Sequence, residues 1–218
     1  MNKSDFENLP SLPEFFGSIQ QVSYVVTDID QAMRHWQENY RVGPFLIARN
    51  QVPLKNAYYR GAKSQEVAVN IAFAYIDGMQ LELTELIGNT PSLYQEALDA
   101  NHKGVHHYAV CVEDFAPVYN LAKENGFKPV VDSGIDGLAR MSYMENDAKN
   151  LILEVIEWNE LTKPYFDEIA ARCMAIECAA TNQEFNLSEL GSAWAVVRKL
   201  GFFLVNKLTG RVVRTMPS

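Results

Sequence analysis

The sequence predicts an α+β protein built from two βαβββ modules. The main support is an internal repeat, in which Ile19–Asp28 (IQQVSYVVTD) matches Val105–Asp114 (VHHYAVCVED) at a distance of 86 residues. A second pair, Gln80–Glu85 and Ile152–Glu157, matches at a distance of 72 residues. In both copies the first segment is typical of a strand that ends at an aspartate, and apolar residues at helical spacing follow it. Each copy therefore predicts a strand, a helix and three further strands.

The first module is expected over residues 17–88 and has a long middle part. Asp28 or Asp30, at the end of the first strand, can accept hydrogen bonds from the first amides of a helix. The dipeptide Asp77-Gly78 favours a tight hairpin, because both central residues of a type I′ turn need positive φ. The elements predicted after the first strand are a helix at about residues 30–40, a weak strand at about 44–49, a loop within 46–66, and the hairpin strands Val67–Ile76 and Gln80–Glu85.

The second module is expected over residues 103–158 and repeats this order with a shorter middle part. Asp114 takes the place of Asp28 as a candidate helix cap. A polar stretch, Asn146–Asn150, joins the last two strands. The elements predicted after the first strand are a helix at about residues 115–125, a weak strand at about 127–132, and the strands Ala139–Glu145 and Ile152–Glu157.

Residues outside the two modules predict an arm and an extension. Residues 1–16 contain two prolines and predict a partly ordered N-terminal arm. Residues 159–218 predict a C-terminal extension that is mostly helical. Its expected elements are helices over Pro164–Cys178 and Ser188–Leu200, and strand-like runs over Phe202–Val205 and Arg211–Val213. Cys173 and Cys178 are interpreted as thiols without a metal, because zinc sites use closer cysteine spacing and four ligands.

The composition of the 218-residue chain argues against several kinds of function. With 48% hydrophobic and 21% charged residues, the chain is typical of a globular protein. A formal charge of −8 and a pI near 5.0, without a Lys/Arg stripe, argue against binding to nucleic acid or to a membrane surface. The opening MNKSDFENLP lacks the apolar stretch of a signal peptide, and three cysteines are too few for a disulfide framework. We therefore expect a cytoplasmic protein that acts on small molecules or on other proteins.

Four polar residues occupy matching positions in the two copies. Gln21 and His107 lie near the start of the first strands, and Glu82 and Glu154 lie inside otherwise apolar last strands. Alternation along the strand places Gln21 on the face opposite to Val22, away from the helix. A carboxylate between apolar residues is costly to bury unless it is paired or bound to a metal. We therefore predict that the four side chains meet at one metal site.

These features resemble the vicinal oxygen chelate superfamily, which includes glyoxalase I, methylmalonyl-CoA epimerase, extradiol dioxygenases and bleomycin-resistance proteins. The likeness rests on the paired modules, on IQQVSYVV and VHHYAVCV, and on LELTEL and LEVIEW, and it covers about residues 17–158. Asp28–Asp30 (DID) and Val42–Phe45 (VGPF) are most similar to the glyoxalase/epimerase branch. The resemblance implies a cup-shaped mixed sheet, with metal ligands from the first and fourth strands of each module. In this sequence those ligands would be Gln21, Glu82, His107 and Glu154.

A metal-dependent isomerase or lyase of the glyoxalase/epimerase type is the leading expectation. Three oxygen donors and one imidazole suit one divalent metal ion such as Zn, Ni, Co, Fe, Mn or Mg. The resemblance implies that the ion stabilises negative charge on a carbonyl oxygen of a small acyl-thioester or hydroxycarbonyl substrate. It also implies a base for the neighbouring proton, with Glu154 as first candidate and Glu82 as its near-symmetric partner.

Two other function classes stay open. An extradiol-type Fe(II) ring-cleaving dioxygenase uses, by resemblance, two histidines and one glutamate, and Gln21 in the first histidine position disfavours it. A non-catalytic small-molecule-binding module usually lacks the metal ligands, so the presence of four ligand-type residues disfavours that class. Because one fold hosts all three functions, the fold alone does not distinguish them.

Further expectations concern the assembly and the residues around the site. We expect a homodimer with the C-terminal segment as a contact. His106 is expected to be structural, because alternation turns it away from His107. Five arginines are candidates for binding an anionic substrate, although each is first expected to be solvated: Arg34, Arg41, Arg49, Arg60 and Arg140.

Overall fold

The computed structural model describes residues 16–134, 139–160, 162–177 and 181–190. The strands are β1 (Gln21–Val26), β2 (Leu46–Gln51), β3 (Lys55–Tyr59), β4 (Ala62–Lys63), β5 (Val69–Ile76), β6 (Met79–Leu86), β7 (His107–Val112), β8 (Lys128–Gly134), β9 (Arg140–Asn146), β10 (Leu151–Glu157) and β11 (Gln183–Glu184). The helices are α1 (Ile29–Tyr40), α2 (Leu93–Asp99), α3 (Phe115–Glu124) and α4 (Thr162–Glu177). The fold class predicted from the repeat, α+β with two βαβββ units, is confirmed.

One curled mixed sheet contains both modules. Its strand order is β11-β2-β5-β6-β1-β7-β10-β9-β8-β3-β4. Each module pairs its first strand in parallel with its last one, β1 with β6 and β7 with β10. The modules then join through an antiparallel pair, β1 with β7, which places Ser23 opposite His107 and Gln21 opposite Ala109. Both copies of the repeat within this chain therefore share one sheet.

The helices that follow the first strand of each module cover the outer face of the sheet. Helix α1 places Ile29 and Met33 in a core cluster with Val22 of β1. Helix α3 places Phe115 and Ala122 in the corresponding cluster of the second module. Because side chains alternate along β1, the burial of Val22 under α1 directs Gln21 and Ser23 to the opposite, concave face. The face assignment predicted from the sequence is confirmed.

Turn and cap residues explain where the elements of the first module begin and end. The Asp28 carboxylate accepts a hydrogen bond from the Gln31 amide at 2.8 Å and thus caps α1. Asp77 and Gly78 have φ values of 49° and 86°, as the predicted hairpin turn between β5 and β6 requires. In the second module Asp114 precedes α3 without a side-chain capping bond. The equivalence of the two aspartates therefore holds in position but not in hydrogen bonding.

The prediction of a loop within residues 46–66 is wrong. This stretch contains β2, β3 and β4, and β3 crosses to the far edge of the sheet, where Tyr59 pairs with Val131 of β8. β3 is held by backbone bonds to β8 and β4. Ala57 is its one buried residue over Asn56–Tyr59. The hydrophobic pattern therefore carried little signal for it.

The C-terminal helix is found over Thr162–Glu177, close to the predicted span Pro164–Cys178. It packs against the concave side of β2 and β5, where Ile169, Cys173 and Ile176 are buried. Residues 1–15, Cys178, and most of the predicted helix and strand-like runs beyond residue 190 lie outside the described residues. In the described part of the chain, no helix is long and apolar enough to cross a membrane.

The two helix-start aspartates provide a test of the cap assignment. Replacing Asp28 with alanine should lower the free energy of unfolding by about 1 kcal/mol, because the Gln31 amide loses its acceptor. The matched variant Asp114→Ala should have a clearly smaller effect, since its side chain forms no capping bond. Urea denaturation measures both changes, and equal losses in the two variants would contradict the assignment.

Candidate metal centre

The sheet register brings the four predicted site residues together on the concave face. Ser23 of β1 lies opposite both Glu82 of β6 and His107 of β7, and Ala109 of β7 lies opposite Glu154 of β10. Gln21 follows on the same face of β1, two residues before Ser23. The four side chains are buried, with relative exposures of 5% for Gln21, 6% for Glu82, 0% for His107 and 3% for Glu154. They lie at the junction of the two modules.

The distances between these side chains show one compact polar cluster. His107 Nε2 lies 3.3 Å from Glu154 Oε2 and 3.9 Å from Glu82 Oε1. The Gln21 side-chain amide donates to Glu82 Oε2 at 3.1 Å and to Gln80 Oε1 at 2.6 Å. Both carboxylates thus face one edge of the imidazole, and Gln21 closes the cluster on the Glu82 side.

Two buried atoms of the cluster have no hydrogen-bond partner among the described residues. These atoms are His107 Nε2 and Gln21 Oε1. Buried polar atoms without a partner are uncommon and often indicate an ion or water site. A neutral imidazole nitrogen, an amide oxygen and two carboxylates are all ligands of divalent cations, so the donor set fits such an ion in its chemistry.

The side chains of the cluster are not spaced as ligands around a bound metal ion. In the described stretches, no group of three His, Cys, Asp or Glu side chains is arranged in a way that could hold a metal ion as it stands. Gln21 presents its amide nitrogen, and not its oxygen, to Glu82. Side-chain rotation would therefore have to accompany metal binding, and the unpartnered oxygen of Gln21 is the atom that such a rotation would bring into use.

Glu82 is the more firmly held of the two carboxylates. Its Oε1 accepts hydrogen bonds from the Ser23 hydroxyl at 2.8 Å and from the Thr84 hydroxyl at 3.1 Å. Burial raises the pKa of Glu82, the proximity of His107 lowers it, and Glu154 raises it again, with burial as the largest cause. Without a cation, the ionised form of this carboxylate is therefore destabilised by the fold.

His106 contacts the cluster, although the sequence predicted a merely structural role. Its Nδ1 lies 2.9 Å from Nδ1 of His107, so one of the two nitrogens donates a proton to the other. Burial, with a smaller contribution from His107, lowers the pKa of His106 to about 3 and keeps its ring neutral. A neutral His106 can accept a hydrogen bond from Nδ1–H of His107, and this contact orients the ring so that Nε2 of His107 faces the carboxylates.

Two buried tyrosines were missed by the sequence analysis. The Tyr143 ring meets the His107 ring edge-on at 5.0 Å, and its hydroxyl lies 3.4 Å from that of Tyr94. Burial is the largest cause that raises the pKa of both phenols. They therefore stay protonated beside the carboxylates and can act as hydrogen-bond donors. Tyr143 could have been found from the hairpin register, which pairs it with Glu154, whereas Tyr94 lies on a short helix without such a signal.

The candidate anion-binding arginines lie outside the cluster. Three of them form ion pairs: Arg49 with Asp30 and Glu184, Arg60 with Glu96 and Glu145, and Arg140 with Glu157. Arg34 and Arg41 are exposed. The exposure of Arg34 and Arg41 agrees with the expectation of solvated side chains. The guanidinium groups of the other three arginines already have carboxylate partners.

Residues 20–143 match the family model of the Glyoxalase/Bleomycin resistance protein/Dioxygenase superfamily. No curated protein matches the sequence of the chain. Among solved structures, a hypothetical protein from Bacillus halodurans C-125 is 19% identical, with 66% of this chain and 95% of that chain covered and a TM-score of 0.47.

Two other similar structures carry names of enzymes. Methylmalonyl-CoA epimerase from Mycobacterium tuberculosis is 17% identical, covers 66% of this chain and 91% of its own, and has a TM-score of 0.46. A variant of 4-hydroxymandelate synthase from Streptomyces coelicolor is 14% identical, covers 65% of this chain and 49% of its own, and has a TM-score of 0.43.

The buried charge of Glu82 leads to a prediction for the metal-free protein. Replacing Glu82 with glutamine should increase the free energy of unfolding at pH 7, because the amide carries no charge for burial to destabilise. Burial raises the folded-state pKa of Glu82. The ionised carboxylate therefore destabilises the wild-type protein above that pKa, and this destabilisation is lost as the pH falls through it. The gain in the variant should therefore shrink on acidification.

Urea denaturation in the presence of a chelator measures this difference across the pH range. The exposed carboxylate Glu66, replaced with glutamine, is the matched control and should show little change. A stability difference between Glu82→Gln and wild type that stays constant with pH would contradict the assignment of a buried charge.

Proposed function

Because the chain belongs to the Glyoxalase/Bleomycin resistance protein/Dioxygenase superfamily, we propose that it is a metal-dependent isomerase or lyase. The observation that carries this proposal is the pair of unpartnered buried atoms, His107 Nε2 and Gln21 Oε1, beside two buried carboxylates. Such an arrangement is unfavourable without a cation and favourable with one. The substrate class that suits it is a small carbonyl compound with an acidic proton on the neighbouring carbon.

The residues that would hold one divalent ion are the four that the sequence analysis selected. His107 would use Nε2, Gln21 its side-chain oxygen, and Glu82 and Glu154 their carboxylates. When bound, the ion would supply a Lewis acid for the negative charge that develops on a carbonyl oxygen. His106 supports this arrangement, since its Nδ1 contact orients the imidazole of His107.

Glu154 is the better candidate for the catalytic base. Glu82 is fixed by Ser23 and Thr84, whereas no hydrogen bond reaches Glu154 among the residues that the structure describes. Both carboxylates line the cavity on the concave side of the sheet, and Glu154 Oε2 lies 3.3 Å from His107 Nε2. A carboxylate that hydroxyl donors do not hold can take a proton from the carbon next to the substrate carbonyl and return it to a neighbouring atom.

The protonated phenols of Tyr94 and Tyr143 would assist this proton transfer. Both residues line the same cavity as Glu154, and the raised pKa values of their phenols keep them in the donor form. A phenol that donates to the substrate oxygen stabilises negative charge there without giving up its proton. The chain thus offers a base and two donors around one substrate position.

Loss of the imidazole tests the metal centre. His107→Ala should lower the affinity for Zn²⁺ by more than about 100-fold, because it removes a ligand and not merely a supporting contact. His106→Phe should lower the affinity by about 10–100-fold, since the ligand stays but loses its orienting partner. Metal titration by calorimetry and elemental analysis of the purified protein measure both effects.

A matched control for these variants is His35→Ala on the exposed side of α1, which should bind metal like the wild type. If His107→Ala retains wild-type affinity, the proposed centre is wrong. If His106→Phe retains it, the supporting role of His106 is wrong while the centre itself stands.

Exchange of the substrate proton tests the base. Glu154→Gln should reduce the rate of proton exchange into D₂O by about 10²–10⁴-fold, because the amide has no proton-accepting carboxylate. Metal content should fall far less, since the amide oxygen remains a possible ligand. Proton NMR with a panel of acyl-thioesters, hemithioacetals and hydroxyketones measures the exchange in the metal-loaded protein.

Glu113→Gln, at an exposed position, is the control and should exchange like the wild type. Near wild-type exchange in Glu154→Gln would place the base elsewhere. Oxygen consumption with a catechol and Fe(II) would replace the isomerase or lyase proposal with the dioxygenase, and binding without either reaction would favour a non-catalytic module.

A further inference from the structure

The concave face above the four site residues contains a narrow cavity that is partly open to solvent. Gln21, Glu82 and Glu154 form its polar floor. Its walls are apolar or phenolic and include Phe73, Met141, Ile156 and Phe166. Any molecule that reaches the polar cluster from this side therefore passes through apolar surroundings.

Helix α4 closes one side of this cavity. Phe166 and Ile169 of the helix line it, together with Leu187 from the segment that follows. Ile169 is fully buried, and Cys173 and Ile176 anchor the next turns against β2 and β5. The helix lies outside residues 20–143, which match the family model. The shape of this wall is therefore a property of the extension and not of the paired modules.

A second, apolar cavity adjoins the first. The two share four wall residues: Pro53, Leu54, Tyr94 and Tyr143. From there the second cavity extends to Val67 and Tyr59. We call the two adjoining cavities the path; they extend from the polar cluster towards residues 53–67 and the start of α2.

The charges along this path are unfavourable for an anion. Among the described residues that line the two cavities, the charged ones are Glu82 and Glu154, and no lysine or arginine is present. Arg60, next to Tyr59 at the end of the path, is bonded to Glu96 and Glu145. A phosphate or carboxylate in the path would be buried without a cationic side chain beside it, which is costly.

We propose that the substrate is uncharged and carries an apolar tail, which lies along the path from Phe166 towards Val67. The proposal rests on the proposed metal centre, which would hold the oxygen atoms of the substrate at the opposite end. Apolar surface that leaves water for these walls provides the binding free energy. Phe166 and Leu187 are then specificity-determining residues that select the tail and take no part in proton transfer.

Three hydroxamates separate the contributions of head and tail. Acetohydroxamate, octanohydroxamate and suberic monohydroxamate share one metal-chelating group and differ in the tail, which is absent, apolar or terminated by a carboxylate. Calorimetry with the Zn²⁺-loaded protein should show octanohydroxamate binding at least about 100-fold more tightly than acetohydroxamate, because six further carbons are buried. Suberic monohydroxamate should bind at least about tenfold more weakly than octanohydroxamate, since its carboxylate lacks a partner.

Charge introduced into the wall should reverse this preference. Phe166→Lys and Leu187→Lys should each weaken octanohydroxamate binding by at least about tenfold and strengthen suberic monohydroxamate binding, while acetohydroxamate binding stays unchanged. Two positions from different segments are used so that misfolding of one variant leaves the other as the test. Met174→Lys is the matched control, because Met174 lies on α4 with 59% of its surface exposed.

The outcomes distinguish the two levels of the proposal. Equal affinity for the two long hydroxamates, or tighter binding of the carboxylate-terminated one, overturns the inference about the tail and leaves the metal centre standing. If acetohydroxamate fails to bind, or binds equally well to His107→Ala, the metal centre itself fails and the inference falls with it. Equal effects of Phe166→Lys and Met174→Lys would also overturn the assignment of the wall.

Discussion

The antiparallel pairing of β1 with β7 is the contact on which the arrangement of the site depends. It sets Ser23 opposite His107, and the parallel pairs on either side then bring Glu82 and Glu154 alongside. Because side chains alternate in direction, a shift of this pairing by one residue would turn one set of polar side chains into the outer core under α1 or α3. The apolar residues of those outer clusters therefore hold the polar cluster in register, and the cost of burying two carboxylates is met by the packing on the other face.

Much of the site could be predicted because it repeats. Two short segments, matched between the copies, were enough to select Gln21, Glu82, His107 and Glu154, and the period of two along a strand assigned them to one face. The same reasoning could have included Ser23 and Thr84, which alternate with apolar residues on the same strands. The hairpins and the helices α1 and α3 followed from turn residues and helical spacing, which are local signals.

Features that depend on distant contacts could not be predicted in this way. The contact of His106 with His107 arises because β7 begins at His107, so the alternation rule does not extend to the residue before it. The crossing of β3 to β8 rests on backbone pairing at an edge, which leaves little trace in hydropathy. Helix α4 was expected, yet nothing in its own sequence shows that it packs inside the curled sheet, whereas α1 and α3 pack outside.

The short strands β3 and β11 have a consequence for the folding of the chain. Without them, β2 and β8 would end the sheet with open hydrogen-bonding edges, which are the usual starting points of aggregation. β3 covers β8, and β11 covers β2, each from a distant part of the sequence. During synthesis the β2 edge stays uncovered until residue 184 has left the ribosome, after both modules are complete. Nascent or truncated chains that end after β10 would therefore be more prone to self-association than the full chain.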